Sequence, residues 1–430
     1  MKKLIFSLLV IASITGIYAQ KSNVNKAKAK SNINAENPDF KGARELIKLA
    51  LEDPTTKDLA NTWFVAGNVG NYENDYYYTQ ILKSKPYDKD AKGQAIVESY
   101  YYYLKAYELD GLPNEKGKIS PKFQKDIKNR ITQYYTNQQN LFVYGAYLLE
   151  SSKYDKAIEA WNIYLEIPDL PFIQGVIAKD SDYYKIKYYT AIAYLNSAKN
   201  DSTIDSNKSE KTNIAISYFE DLRDKGFQEV AVHQLLYQEY FNKKDTASFV
   251  KILKAGFEKF PQETWFLGTL INFYIYASDE KPAAEKQALL KEAYVYLEKA
   301  VTDFPNEAEY FFVKGNISEQ LGNIEQAQSD FEQALKLNPN HADSYNGIGR
   351  LLFNKAVEKD AAANDIRDTK LYNAEKIRIK DDFAKALPYI EKAYQLKPDN
   401  YEYQSTLKKL YYRLDMQTEY DKIDKIMKGE

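Results

Sequence analysis

The sequence predicts an all-α protein, a superhelical solenoid of about nine antiparallel helix pairs. Three observations carry that expectation. Gly 17 and Pro 13 are few for 430 residues, and the prolines sit mostly between periodic segments instead of inside them. Apolar residues recur at three- and four-residue spacing, as at Phe40, Ala43, Ile47 and Ala50, the mark of one buried helical face. Finally, Phe260-Pro261, Phe304-Pro305, Asn338-Pro339 and Lys397-Pro398 close apolar segments whose last turns look alike, a sign of internal repetition.

The N-terminus reads as a secretory signal at residues 1–19. Met1-Lys2-Lys3 is a basic start, Leu4 to Ile17 is apolar apart from small residues, and Ala19 offers a cleavage site before Gln20. A membrane anchor is the competing reading, but the run is shorter than the ~20 apolar residues a spanning helix needs. With 0 Cys there is no residue to carry a lipid anchor and no disulfide framework, so packing alone must hold the fold. A chain this long supplies that packing. Lys+Arg 59 against Asp+Glu 61 gives a net charge of -2, with both signs interspersed. That balance argues against a nucleic-acid partner, which wants a basic stripe, and against an acidic membrane surface. Residues 20–37 are small and polar and read as a disordered arm.

Beyond Pro38 the chain divides into looser N-terminal repeats, 38–260, and better-formed C-terminal ones, 261–430. Pro305 and Pro339 stand 34 residues apart, and between them lie Phe311, Gly315, Ala327, Phe331 and Ala334. Here the chain resembles the tetratricopeptide repeat family, whose pattern is W-x2-L-G-x2-Y, then A-x3-F, then P. Lys314 and Ser318 depart from it, where Leu and Tyr are usual. Leu141, Tyr144, Gly145, Leu148, Tyr154, Ala157 and Trp161 fit a second copy, and Trp63 and Gly67 begin another. Tyr345, Ile348, Gly349 and Leu352 supply the first helix of a further repeat; Ala386, Ile390, Ala393 and Pro398 supply its second. A closing pair is expected at 401–428, with Leu407, Leu410, Tyr411 and Leu414 followed by Tyr420, Ile423 and Met427. Taken with the signal and the abundance of Tyr, Asn, Lys and Ile, the chain resembles periplasmic repeat proteins of Bacteroidetes-type bacteria. That resemblance implies no reaction.

The spacings also predict insertions. Pro261 to Pro305 is 44 residues, and Ala277 to Pro282 is read as looping out the excess. Lys199 to Lys211 is polar and is read as a surface loop. Pro339 to Pro398 is 59 residues, so residues 353–384 are expected to form an antiparallel helical finger lying outside the stacked core. Asn364-Asp365 and Asp368-Thr369 supply its turn. Pro388 falls in the returning helix, where it should kink it.

Catalytic chemistry finds no positive support. His233 and His341 lie in different repeats; the first reads as a packing residue, the second as a cap on the next helix. Neither has metal-ligand spacing, and there is no thiol, G-x-S-x-G elbow or phosphate loop. We therefore expect no enzyme, no metal and no cofactor. The 39 Tyr are the outlier, with runs at Tyr76-Tyr77-Tyr78, Tyr100 to Tyr103, Tyr183-Tyr184 and Tyr188-Tyr189. Successive helical residues are ~100° apart, so four in a row cannot all face one core. In one reading two rings are buried and the others lie half covered with wet hydroxyls; in the other some line a ligand groove. Asp245-Thr246-Ala247 and Asp201-Ser202-Thr203 resemble a short O-glycosylation sequence, but a helix N-cap at Asp245 or Thr246 is the preferred account of the first.

The tetratricopeptide resemblance implies binding in a concave groove lined by first helices. The expected lining is Phe312, Asn316 and Glu319 with Glu309 on one repeat, and Asn346, Arg350 and Phe353 on the next. Members that clamp a C-terminal carboxylate need a lysine where Phe312 stands, which argues against such a clamp. Two functions follow as expectations: a scaffold for envelope proteins or peptides, or a glycan-binding module of outer-membrane sugar uptake. The second normally carries a lipid anchor, for which there is no cysteine.

Overall fold

The computed structural model describes residues 21–200, 205–279 and 281–429. The expected signal at 1–19 and the Asp201-Ser202-Thr203 sequence lie outside them. The fold is all-helical: among the described residues there are nineteen helices, packed in consecutive pairs in the tetratricopeptide manner, and no strand. The chain forms two compact units, Met1–Lys244 and Asp245–Glu430. The helix that follows Asp245 packs tightly on the next one: its Gly256 comes so close to the Phe266 ring that an added Cβ would stand 2.4 Å away.

The first unit contains α1 (residues 21–30), α2 (Phe40–Glu52), α3 (Ala60–Leu82), α4 (Lys89–Asp110) and α5 (Gln124–Thr136). It continues with α6 (Leu141–Glu150), α7 (Tyr154–Glu166), α8 (Ser181–Asn200), α9 (Asp205–Asp224) and α10 (Val230–Asn242). Pairs α3/α4, α6/α7 and α8/α9 are the closest packed. Helix α5 stands between two pairs and sends Ile127, Ile131, Tyr134 and Tyr135 into the shared core. Its entry is fixed by Asp110, whose carboxylate accepts from the backbone N–H of Lys122, Phe123 and Gln124.

Two expectations fail here. Residues 21–30 are not a disordered arm: they form α1, which buries Val24 and Ala27 in a cluster with Ala43, Ile47, Ala50 and Val65. Two apolar side chains are too few to mark a helix in sequence, and tertiary burial decides it. Likewise the loop expected at 199–211 is mostly helix, because α8 runs to Asn200 and α9 begins at Asp205. Lys211 is anchored there by Ser197, 2.7 Å away.

The second unit contains α11 (Thr246–Lys259), α12 (Thr264–Ser278), α13 (Ala283–Asp303), α14 (Ala308–Gln320) and α15 (Ile324–Leu337). It ends with α16 (Ala342–Ala363), α17 (Thr369–Leu396), α18 (Tyr401–Arg413) and α19 (Gln417–Lys428). The expected Asp245 cap is present, accepting from Ser248 N at 3.1 Å. The turn between α14 and α15 places Gly322 at φ +81°, a left-handed conformation that glycine adopts without a Cβ clash. The excess after Pro261 is not all loop, since α13 spans 21 residues.

Where the finger is expected, α16 has 22 residues and α17 has 28, the latter running on through Pro388. Asp368 caps the return, accepting from Lys370 N and Leu371 N. Yet the finger does not lie wholly outside the core. Ala356, Ala363, Ile379 and Phe383 are buried in one cluster with Leu407, Leu410 and Ile423 of the closing pair, and Arg413 reaches Asp360 at 2.8 Å. The closing pair thus seals the inner face of the finger.

Candidate functional site

In the second unit, the first helices α14, α16 and α18 lie side by side. Their facing residues build a polar network around Arg350. Its guanidinium donates to Glu319 through Nε (3.1 Å) and Nη2 (2.5 Å), the paired geometry that makes Arg–carboxylate contacts directional. Nη2 also donates to Asn316 Oδ1 at 3.2 Å, and Nη1 lies 3.5 Å from Glu402 Oε1. Asn346 Nδ2 donates to the same Glu402 oxygen at 3.0 Å. Burial opposes the Arg350 charge, but hydrogen bonds and charge from Glu319, with Glu402 behind them, hold its pKa above the ordinary value. Asn316, Glu319 and Arg350 of this network form one wall of a cleft of about 690 Å³, whose other lining includes Asn272, Tyr276 and Val313. Tyr276 is 74% exposed.

Four of the seven expected groove residues therefore come together, Asn316, Glu319, Asn346 and Arg350, while Glu309 stands apart beside His341. The two aromatics do not join them. Phe312 is turned inward against Phe331 (5.9 Å) and His341 (5.0 Å), and Phe353 against Phe383 (5.4 Å). Both are half-buried, because each can shed more water between helices than in an open groove. Sequence reasoning missed Tyr276, which lines the cleft, and Glu402, which holds Asn346 and Arg350 from α18. The signal for Tyr276 lay in its position: it falls in the last turn of α12 as Gln320 does in that of α14. Glu402 was hidden in what reads as a closing pair.

The departures at Lys314 and Ser318 are compensated. Lys314 Nζ lies 3.2 Å from Asp330 Oδ1, Ser318 Oγ 3.4 Å from Oδ2, and Gln326 Nε2 donates to Oδ1 at 3.0 Å. Lys314 and Asp330 are both buried. Burial alone would lower the lysine pKa, but Asp330 outweighs it and the net shift is upward. His341 is the cap that the sequence suggests: Nδ1 accepts from Ser344 N at 3.2 Å, while Nε2 stands 3.2 Å from Glu309. His233 is a buried residue of α10 beside Leu236. No cluster of His, Cys, Asp or Glu able to hold a metal occurs among the described residues.

Within the tyrosine runs, Tyr100 and Tyr103 are buried and Tyr101 is 48% exposed. Two rings in four are core, as the packing reading expects. Tyr103 Oη donates to Asn68 Oδ1 (2.7 Å) and Tyr134 Oη to Asn71 Oδ1 (2.9 Å). Tyr76 and Tyr189 remain on the surface.

The sequence profile of the tetratricopeptide repeat family matches residues 308–341, which are α14, α15 and the turn into α16. Solved structures offer loose likenesses. The MamA protein is 17% identical, covering 46% of this chain and 92% of its own, with a TM-score of 0.34. A TPR repeats protein of Bacteroides fragilis is 17% identical over 66% of this chain and 98% of its own, at 0.26. The C-terminal part of a TPR repeat-containing protein of Cytophaga hutchinsonii is 16% identical over 64% and 93%, at 0.33. No curated protein sequence matches the chain. No helix among the described residues is long and apolar enough to cross a membrane.

Proposed function

We propose that this chain is a non-enzymatic, exported scaffold that holds a protein partner in the groove of its second unit, with the finger as an added contact. The observation that carries it is the Arg350 network, which holds polar groups in fixed positions beside the exposed ring of Tyr276. A partner meeting such a surface loses little entropy on its protein side, and exposed Tyr and Arg are the residue types most often dominant in binding energy. Export rests on the basic and apolar start at residues 1–19. The test is capture of envelope proteins by the purified chain. Tyr276→Ala and Arg350→Ala should each weaken retention of the same partner by roughly 10-fold or more; unchanged retention in both removes the groove as the site.

One observation favours glycan binding instead. In the first unit a cleft of about 510 Å³ is lined by Asn25, Asn32, Asn34, Lys28 and Tyr72. Side-chain amides around an aromatic ring suit sugar hydroxyls and a sugar face. Retention on polysaccharide columns that is lost in Tyr72→Ala, with no protein partner captured, would support this reading.

A further inference from the structure

The first unit buries a cation to which the fold brings no anion. Lys92, on α4, is 5% exposed, yet it takes part in none of the ion pairs found among the described residues. Its ammonium has three N–H donors, and the acceptor it reaches is the Gln139 carbonyl oxygen, 2.5 Å from Nζ. Burial pulls its pKa down to about 8, and the charge of Asp75 on α3 offsets this only in part. Buried charges are normally paired, because desolvating an ion costs far more than desolvating a neutral group. At Lys92 two donors and one positive charge are left over.

They are left over at a cleft. Lys92 and Gln139 both line a recess of about 190 Å³ beside α4 and α6. Val143 and the rings of Tyr144 and Tyr147 give it an apolar wall. Tyr144 is held against the residue next to Lys92: an added Cβ at Gly93 would stand 2.1 Å from its ring. Lys89 and Glu150 also line the recess. Lys89 lies 5.5 Å from the centre of the Tyr147 ring; Lys153, at 5.7 Å from that centre, is already paired with Asp90. Lys89 and Glu150 cancel, so the lining keeps one net positive charge, that of Lys92.

We propose that this recess binds a small organic monoanion, a carboxylate on an aromatic or apolar body. The carboxylate takes the two remaining donors of Lys92, and the body packs against Val143, Tyr144 and Tyr147. One excess charge matches a monoanion, and a second negative charge would be left facing Glu150. The volume lies below the ~300–1,000 Å³ of pockets for drug-sized ligands, so the occupant is one small molecule and not a segment of a partner chain. The site stands apart from the second-unit groove, and neither reading depends on the other.

Isothermal titration calorimetry of the full chain with benzoate, at pH 7 and low chloride, tests this. Binding should saturate at one benzoate per chain. Benzamide, of the same shape without the charge, should bind at least roughly 10-fold more weakly. Lys92→Met should lose benzoate by a similar factor while keeping its helical circular dichroism. The pH profile needs no variant. Benzoate needs Lys92 protonated, so its affinity should fall above pH 8, approaching roughly 10-fold per unit. The other titratable groups facing Lys92 are Asp75 from α3, Lys89 from its own helix, and Tyr144, Tyr147 and Glu150 from α6. Carboxylates titrate well below pH 8 and ordinary Lys and Tyr near 10, while burial pushes Tyr144 higher still. A fall that begins at pH 8 therefore reports Lys92. No saturable binding to the wild type, equal binding of benzamide, or an affinity flat from pH 7 to 9 overturns the proposal. So does a folded Lys92→Met variant that binds benzoate as the wild type does.

Discussion

The two units solve one packing problem with different materials. In the first, aromatic rings fill the space between helices and their hydroxyls are paired with buried amides: Tyr103 with Asn68, Tyr134 with Asn71. Glycines make room for them, and at Gly145 an added Cβ would lie 2.2 Å from the Trp161 indole. The second unit buries Ala327, Phe331, Ala334, Ala386 and Ile390, and among its buried polar residues Lys314 and Asp330 are paired as ions. The lesson is that a repeat can depart from its pattern provided the departure is answered by a polar partner on a helix packed nearby. Hydroxyl–amide bonds do this without charge; Lys314 and Asp330 do it with charge, and they are the more fragile solution.

The largest expected effect follows from that fragility. Lys314→Met should destabilise the second unit by about 3–5 kcal/mol, because Asp330 is left charged and buried. Asp330→Leu should cost a similar amount by stranding the lysine. The double variant should recover most of the loss, since an apolar pair of similar volume avoids both desolvation costs. Thermal unfolding followed by helical circular dichroism reads all three; additive losses in the double variant would falsify the pairing account.

The first unit should instead show its polar weak point through pH. Lys92 is buried, with Nζ donating to the Gln139 carbonyl at 2.5 Å. Burial pulls its pKa down to about 8, only partly offset by Asp75. A lysine depressed on folding binds its proton less tightly folded than unfolded. The unfolded chain therefore holds more protons between pH 8 and the ordinary lysine pKa, and stability must rise with pH across that window. The rise should reach at most about 3 kcal/mol. Tyr135, which burial pushes up to about 12, works the other way above pH 10, when the unfolded ring ionises first. Trp63 and Trp161 belong to the first unit and Trp265 to the second, so a Trp265→Phe background reports the first unit by fluorescence. Urea midpoints should climb from pH 8 to 10 in that background and stay flat once Lys92→Met is added.

How much of this was legible in sequence depended on whether the cause was local. The Gly315, Ala327, Phe331 and Pro339 pattern exposed the α14/α15 pair because close approach demands small residues at fixed spacing. The finger was legible as surplus length between Pro339 and Pro398. By contrast α1 depends on Val24 and Ala27 meeting α2 and α3, a contact that no residue in 21–30 announces. Arg350 and Glu319 could be placed on one face by helical spacing, but Phe312 and Phe353 could not be turned inward without knowing the neighbouring helix. Lys314 looked like a defect until Asp330, one helix later, came to stand beside it.

The smallest effect separates two tyrosines of a single run. Tyr103 and Tyr100 lie three residues apart on α4, and both are fully buried. Tyr103 Oη donates to Asn68, itself buried, at 2.7 Å. Tyr103→Phe removes that donor and leaves Asn68 Oδ1 without it, which should cost about 1–3 kcal/mol. The Tyr100 hydroxyl is buried near Glu166 but reaches hydrogen-bond geometry with no partner among the described residues. Its desolvation is already a cost in the native protein, so Tyr100→Phe removes that cost and keeps the ring. Stability should then stay within about 0.5 kcal/mol of wild type or rise slightly. Urea unfolding of the two variants, each in the Trp265→Phe background, makes the comparison. Equal losses would mean that the rings alone matter in this unit and that its hydroxyl–amide bonds contribute nothing measurable.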